Sequence, residues 1–223
     1  MPYQIQPIKV HYPFFKNFSY LITDLATKET ALIDPTWEFA KINSVITGQA
    51  LNLTTILLTH SHFDHVNLVK AFVKQYQPGV YMSAKEIAYY QFNSPNLYPV
   101  QHNDEITLGD TTITCLETPG HSAGSMCFLL PDALFTGDTV FIEGCGMCKT
   151  PGGNPWEMYQ SIQFIKERVA PEVKIYPGHS YGKAPGYPLS YLLTNNIYFQ
   201  FDSGAEFVAY RMRPHQIGLM DFK

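Results

Sequence analysis

The sequence predicts an α/β fold, an αββα sandwich in which two mixed β-sheets pack face to face and helices cover the outer faces. Runs of β-branched and aromatic residues recur in both halves of the 223-residue chain. Each half also contains longer segments whose apolar residues lie at helical spacing. A sheet and a helix each need a second layer to bury their apolar face, and two stacked sheets with outer helices satisfy both.

In the first half, strands are expected in short apolar runs, and helices where apolar residues return every three or four positions. In the first of these helices the residues at that spacing are Phe39, Ile42, Val45 and Ile46. The strands are expected at residues 3–11, 19–23, 30–34, 53–58 and 80–82, and the helices at residues 37–46, 64–76 and 84–92.

The second half begins with strands and ends with helices. The dipeptide Gly109-Asp110 joins the first two of its strands and predicts a type I′ hairpin turn. No linker or low-complexity segment divides the chain, so we expect a single domain over residues 1–223 with a helical C-terminal tail at about 188–223. The strands expected in this half are 105–108, 111–117, 126–130, 133–135 and 173–176, and the helices are 156–169, 189–201 and 205–212.

Charge and hydropathy argue against several classes of protein. The net charge of −4 and the lack of long basic runs argue against nucleic acid as a partner. No apolar stretch reaches the 18 residues needed to cross a bilayer, and the first residues lack the basic and apolar regions of a signal peptide. We therefore expect a cytoplasmic protein that has no membrane partner, and leave its oligomeric state open.

A run of metal-ligand residues follows the strand expected at 53–58. His60, His62, Asp64 and His65 stand within six positions. Three imidazoles and a carboxylate cannot form an apolar core, because they would repel one another when protonated and would lose their hydration when buried. A metal cation is the simplest partner that stabilises such a cluster.

Three further candidate ligands follow expected strands, each directly after a glycine. They are His121, Asp138 and His179, which end the sequences TPGH, TGD and YPGH. A single histidine after a turn is usually a solvated surface residue, but loops on a rigid scaffold are also where binding groups concentrate. Three such turns together with the histidine run indicate a metal centre.

Seven ligands exceed the four that one tetrahedral zinc ion uses, so they suit two ions. Imidazole-rich sites favour zinc, and two carboxylates also admit iron or manganese. A natural division assigns His60, His62 and His121 to one ion, assigns Asp64, His65 and His179 to the other, and lets Asp138 bridge both through its two oxygens.

Such a centre has hydrolytic chemistry. Two ions about 3.5–4 Å apart can hold a hydroxide between them and polarise a carbonyl group, because a metal lowers the pKa of its bound water toward about 7. No separate serine or cysteine nucleophile is needed. Asp64 and Asp138 are then the catalytic carboxylates, with Asp64 a ligand first and a proton carrier as the alternative.

The pattern HxHxDH at 60–65, followed in order by His121, Asp138 and His179, resembles the metallo-β-lactamase superfamily over about residues 5–185. The resemblance implies an αββα sandwich with a dinuclear site at one edge of the two sheets, and the same division of ligands. The β-lactamases of this superfamily usually have cysteine or serine at the position of Asp138. Aspartate there, and the segments 135–146 and 157–161, resemble the glyoxalase II-like branch of thioester hydrolases.

Two features depart from glyoxalase II itself. Met147 stands where those enzymes have a basic residue that contacts glutathione, and the chain after His179 is shorter than their glutathione-binding extension. These differences argue against glutathione as the carrier. Tyr181 does match a glutathione-contacting tyrosine of that branch, which makes it the candidate substrate-binding residue.

A closer likeness is to the small zinc-dependent hydrolases encoded with bacterial trans-acyltransferase polyketide synthases of the bacillaene type. The segments 9–17, 141–146, 151–153 and 196–200 carry it. It implies an acyl thioester substrate on an acyl carrier protein or coenzyme A. It also implies a role in antibiotic biosynthesis, either removing stalled or wrong acyl units or hydrolysing an intermediate.

Other readings of the sequence make different predictions. Hydroxyacylglutathione hydrolase, lactonase and β-lactamase activities all use such a centre. A diiron oxygen reductase is expected to have Glu in place of His62, a module that only binds is expected to have lost ligands, and a nuclease is expected to be longer and more basic. Cys145 and Cys148 have the C-x-x-C spacing of zinc or redox sites, but without a second such pair we expect small buried residues.

Overall fold

The computed structural model describes residues 2–13 and 15–214. It confirms the predicted sandwich of two mixed sheets. The first sheet has six strands in chain order; the first three are antiparallel to one another and the last four are parallel. Its strands are β1 (Tyr3–Tyr12), β2 (Phe15–Asp24), β3 (Glu29–Ile33), β4 (Asn52–Leu57), β5 (Gly79–Ser83) and β6 (Leu97–Val100), and the helices of this half are α1 (Phe39–Gly48), α2 (Phe63–Val66), α3 (Val69–Tyr76) and α4 (Ala84–Tyr90).

The second sheet also has six strands, and a separate two-stranded ribbon lies beside it. Its strands are β7 (Glu105–Leu108), β8 (Thr111–Glu117), β9 (Met126–Leu130), β10 (Ala133–Gly137), β13 (Lys174–Pro177) and β14 (Tyr187–Pro188), and the ribbon is β11 (Val140–Phe141) and β12 (Gly144–Cys145). The helices of this half are α5 (Pro155–Arg168), α6 (Leu189–Asn195) and α7 (Gly204–Arg211), with a 3₁₀ turn at Ile197–Phe199. In this sheet β10 and β13 are parallel and the other neighbouring strands are antiparallel.

Apolar side chains fill three layers. The middle layer lies between the sheets and includes Tyr20 from β2 and Phe128 and Phe135 from β9 and β10. One outer layer packs α1 and α3 on the first sheet, and the other packs α5, α6 and α7 on the second. Complete burial of one such side chain contributes about 1.5–3 kcal/mol, so the two sheets are held together mainly by the middle layer.

Asp24 joins the two sheets at the end of β2. Its carboxylate accepts hydrogen bonds from the backbone N–H of Thr27 (2.9 Å) and, across the sandwich, from the Thr111 hydroxyl (2.8 Å) and the Asp110 N–H (3.2 Å). The Thr27 N–H is the largest of the causes that lower the pKa of Asp24 to about 2. Because β2 and β3 are antiparallel, Asp24 lies at the edge opposite the one reached by the end of β3.

Several details differ from the prediction, among them the short strands β11, β12 and β14, which were not expected. The helix expected at 64–76 is two helices, because the Leu68 N–H bonds to the carbonyl oxygen of Pro35 rather than within a helix. The type I′ turn is wrong, because Gly109 has a positive φ (57°) and Asp110 does not. The strand β6 was not expected, since Pro99 lowers its strand propensity; as an edge strand it tolerates the proline.

The described chain that follows β14 is mainly helical. Within the tail predicted at about 188–223, α7 forms as expected, whereas the helix expected at 189–201 ends at Asn195 and is followed by the 3₁₀ turn Ile197–Phe199. Residues 215–223 lie outside the described part. Within residues 2–13 and 15–214, no helix is both long and apolar enough to cross a bilayer.

Candidate metal centre

The seven predicted ligands converge at one edge of the sandwich, where strands from both sheets end. His60 follows β4, His62 caps the start of α2, and α2 carries Asp64 and His65. The other three, His121, Asp138 and His179, follow β8, β10 and β13. The carboxyl ends of parallel strands meet at one edge of a sheet, which is why residues far apart in sequence become neighbours.

The ligand atoms form two groups of three. In one group the atoms of His60, His62 and His121 lie within 4.8 Å of one another, and in the other those of Asp64, His65 and His179 do the same. Between His62 Nδ1 and His121 Nε2 the distance is 2.9 Å. These groups contain the same residues as the division predicted from the sequence.

Asp138 lies between the two groups. Its Oδ2 is 3.7 Å from Nε2 of His121, which belongs to the first group, and 3.3 Å from Nε2 of His179, which belongs to the second. Its Oδ1 is 3.5 Å from Nε2 of His65. A carboxylate in this position could contact a cation held by either group.

The polar atoms that face inward fit a metal. His60 Nε2 and Asp138 Oδ1 are buried and have no hydrogen-bond partner within residues 2–13 and 15–214, which is costly unless a cation binds them. In two other histidines, the ring nitrogen that faces away from the centre donates a hydrogen bond to the backbone. Nδ1 of His121 donates to the Met147 carbonyl (2.8 Å), and Nδ1 of His179 donates to the Lys16 carbonyl (3.1 Å). A donor bond at Nδ1 leaves the Nε2 lone pair directed into the centre, as metal-binding histidines require.

The charge of the centre also fits a cation. Burial acts to raise the pKa of Asp138, but the neighbouring imidazoles of His179 and His65 outweigh it and hold that pKa well below its usual range. Conversely, burial acts to lower the pKa of His65 and His179, and the nearby carboxylates, Asp138 first, raise them to about 9 and about 10. Burial lowers the pKa of His121 to about 4. The buried carboxylates are therefore stabilised by positive charge nearby. A divalent ion would supply that charge while the histidines stay neutral.

Asp34, which the sequence analysis placed only in a strand, orients two of the histidines. Its buried carboxylate accepts from Nδ1 of His65 (2.9 Å), the Thr59 hydroxyl (2.6 Å) and the Thr59 N–H (2.9 Å). The same Thr59 hydroxyl lies 3.0 Å from Nδ1 of His60. Asp34 can also be grouped with His60 and His65 as a ligand set, but its oxygens are already engaged, so we assign it an orienting role.

Glu86 on α4 was also missed. It is completely buried, and its carboxylate accepts from the N–H and hydroxyl of Ser61, both at 2.8 Å. Its second oxygen accepts from the Ser122 hydroxyl and the Gly124 N–H, also both at 2.8 Å. Ser61 lies between His60 and His62, and Ser122 follows His121, so one carboxylate ties together the two loops of the first ligand group.

Asn17 on β2 performs a similar role for the second group. Its side-chain amide donates to the backbone carbonyl (2.9 Å) and carboxylate (3.2 Å) of Asp64, and its oxygen accepts from the indole N–H of Trp37 (2.9 Å). A single asparagine in a strand has no sequence signature. Asn17 also pairs with His179 of the second ligand group through an isolated antiparallel β-bridge.

Glycine is required where the ligand loops touch. A Cβ on Gly178 would lie 2.6 Å from both Asp138 Oδ1 and His65 Cε1. Gly137 has φ +48°, and a Cβ there would lie 2.4 Å from the Thr59 hydroxyl oxygen. Both positions therefore accept only glycine if the ligands are to keep this spacing.

The remaining candidates lie around this centre. Tyr181 lies beside the second group, with its ring 5.5 Å from that of His179 and 4.8 Å from that of Phe141. Burial, with the carboxylates of Asp138 and Asp64, raises the pKa of its hydroxyl. Cys145 and Cys148 are free, buried thiols in the apolar layer that covers the second sheet.

A two-sheet sandwich with a histidine and aspartate centre at the shared strand edge defines a metal-dependent hydrolase. The metallo-beta-lactamase superfamily model matches residues 12–179. The chain therefore belongs to the metallo-beta-lactamase superfamily, as predicted, and is an enzyme of that type.

Relatives and solved structures agree with this assignment. Over 223 residues, 100% of this chain and 99% of the relative, the chain is 46% identical to the "Probable polyketide biosynthesis zinc-dependent hydrolase PksB" of Bacillus subtilis. It is 36% identical to the hydroxyacylglutathione hydrolase of Rhodopseudomonas palustris over 74% of this chain and 63% of that one. The crystal structure of ETHE1 from Myxococcus xanthus superimposes with a TM-score of 0.84 at 27% identity, covering 97% of this chain and 94% of that one.

Proposed function

We propose that this protein is a dinuclear zinc hydrolase that cleaves an acyl thioester, carried by an acyl carrier protein or coenzyme A, in polyketide antibiotic biosynthesis. One observation supports it above the others: the Asp138 carboxylate lies 3.7 Å from His121 of one three-residue group and 3.3 Å from His179 of the other. The name of the relative PksB supports the polyketide context. Iron or manganese is the alternative metal for the same ligands.

The first ion would be held by the three histidines of the first group, the second by the three residues of the second group, and both by Asp138. Bound zinc would supply Lewis-acid polarisation of a carbonyl and would lower the pKa of water. The ligands would be His60, His62 and His121 on one side and Asp64, His65 and His179 on the other, with Asp138 between them.

A thioester is a substrate that this set of residues could hydrolyse. In the hydrolysis, water adds its oxygen to the carbonyl carbon, the C–S bond breaks, and the sulfur leaves and takes up a proton. A thiolate is a good leaving group, so no dedicated acid is needed and Asp64 can serve wholly as a ligand that Asn17 holds in place. Tyr181, next to the second group, is placed to contact the substrate.

Metal analysis and a substrate panel test the proposal. The purified protein should contain about two zinc ions per chain by mass spectrometry, and chelation should abolish activity. It should cleave acyl thioesters of carrier protein or coenzyme A faster than those of glutathione, and faster than a homoserine lactone or a penicillin. A protein with no bound metal, or one that prefers the lactone or penicillin, would contradict the proposal.

Hydroxyacylglutathione hydrolysis is the second candidate. Its support is Tyr181, which lies beside the centre, and the similarity to the Rhodopseudomonas palustris enzyme. Against it stands Met147, whose half-exposed side chain occupies the place of a glutathione-binding cation and cannot pair with a carboxylate. A preference for glutathione thioesters in the same panel would favour this candidate.

A further inference from the structure

A groove of about 500 Å³ adjoins the metal centre on the side of His62. It is lined at its inner end by Phe63, the residue after His62, and by Tyr90, whose ring lies 6.3 Å from that of His62. From there it extends between the start of α3 and the segment that follows α4. Its volume lies within the range of roughly 300–1,000 Å³ found for small-molecule sites.

The walls of the groove combine three kinds of chemistry. Phe63 is 71% exposed and contributes an apolar aromatic ring. Gln91 and Asn93 contribute exposed amide groups. Lys70, on the exposed face of α3, contributes an ammonium group. Among the described residues that line the groove, Lys70 is the one with a charged side chain, and none has a carboxylate.

A phosphopantetheine arm has the same sequence of groups. Next to its sulfur it has a short apolar stretch, then two amides, and at its far end a phosphate. With the thioester at the metal centre, the apolar stretch would lie against Phe63 and Tyr90. The amides would lie along Gln91 and Asn93, and the phosphate would pair with Lys70. An ammonium group binds phosphate as a compact point charge.

We propose that this groove is the binding site for the phosphopantetheine arm of the substrate, with Lys70 as the residue that binds its phosphate. The proposal rests on the proposed function and adds to it: both carrier protein and coenzyme A have this arm, and glutathione does not. The groove lies on the His62 side of the metal centre and Tyr181 lies on the His179 side, so Lys70 and Tyr181 are placed to contact different parts of the substrate.

Two substrates with the same acyl group test the proposal. One is the thioester of 4′-phosphopantetheine and the other is the thioester of N-acetylcysteamine, which ends before the phosphate. In Lys70→Met the ratio of kcat/KM for the first substrate to that for the second should fall about tenfold, mostly through KM. Lys70→Arg should restore most of the ratio. Lys74→Met is the matched control, because Lys74 is exposed on the same helix and does not line the groove; its ratio should equal that of the wild type.

Direct binding separates failure of the groove from failure of the proposed function. Free 4′-phosphopantetheine, titrated into the metal-loaded wild type, should shift backbone amide signals of residues 91–94, and Lys70→Met should weaken this binding about tenfold. If the wild type binds the arm through Lys70 but cleaves neither thioester, the groove stands and the proposed reaction is wrong. If Lys70→Met changes neither the ratio nor the binding, or changes them no more than Lys74→Met does, the groove proposal is wrong.

Discussion

The carboxylate of Glu86 accepts a 2.8 Å hydrogen bond from the backbone N–H of Gly124, although the two residues belong to different halves of the sandwich. The other oxygen of Glu86 holds Ser61 in the histidine run. A helix of the first half thereby fixes the loop of the second half that carries His121. The position of three candidate ligands depends on this one buried side chain.

Glu86→Ala should therefore weaken metal binding by about 10–100-fold, because it leaves the N–H groups of Ser61 and Gly124 without acceptors and frees both loops. Glu86→Gln, which keeps one carbonyl acceptor, should lose less. Competition with a coloured chelator measures the affinity. The control is Lys85→Ala, the exposed neighbour on α4, which should bind metal like the wild type. Equal affinity in Glu86→Ala and the wild type would contradict the positioning role.

Asp34 should act through the orientation of His65 and His60. Asp34→Asn keeps the size and tolerates the left-handed backbone at this position (φ 47°), so it tests the carboxylate alone. We expect metal affinity to fall about 10–100-fold. Asp34→Ala should in addition lower the thermal midpoint, because alanine is strained at that φ. Glu38→Gln, four residues later and partly exposed, is the control; a similar loss in that variant would argue against a specific role for Asp34.

Asp138→Ala should reduce metal content and turnover together, since Asp138 is placed between both ligand groups. We expect fewer than two metal ions per chain and a decrease in kcat of more than about 100-fold. Metal analysis and steady-state kinetics on the same sample measure both. Cys145→Ser and Cys148→Ser serve as controls and should keep the wild-type metal count, because these thiols are buried in the apolar layer. Full activity in Asp138→Ala would exclude a bridging role.

The stability of the fold should depend on pH through Asp24. Hydrogen bonds, the Thr27 N–H first, lower the pKa of Asp24 to about 2 in the folded protein, compared with about 3.9 in an unfolded chain. The stabilisation is therefore present above about pH 4 and is lost as the pH falls toward 2. Asp24→Asn should be less stable than the wild type at pH 7, and the difference should shrink below pH 4.

Urea unfolding at pH 7, 5 and 3 measures this difference between the wild type and Asp24→Asn. The control is Asp110→Asn: the Asp110 side chain is exposed, and only its backbone N–H contacts Asp24. The control should follow the wild type at each pH. A difference between Asp24→Asn and the wild type that stays constant from pH 7 to pH 3 would show that the charge of Asp24 is not its cause.

The sandwich and the seven ligand candidates could be predicted from the sequence, because the strands and the ligand residues each have a local sequence pattern. Strand periodicity and the HxHxDH pattern are visible within a few residues. Asp34 and Glu86 could not be found in this way, since a single acidic residue becomes an orienting group only when the fold brings distant loops against it. The break between α2 and α3 has the same cause: the partner of the Leu68 N–H is Pro35, in a different segment.

The first four ligand candidates lie within residues 60–65, and the last, His179, comes more than a hundred residues later. During synthesis on the ribosome, the early histidines therefore leave the exit tunnel long before their partners. If the seven residues bind metal as proposed, a nascent chain that ends before residue 179 lacks one of these ligands even when its first sheet has formed. We therefore expect metal to be bound late in synthesis, and a truncated product would lack the crosslink that a bound cation would provide between the two sheets.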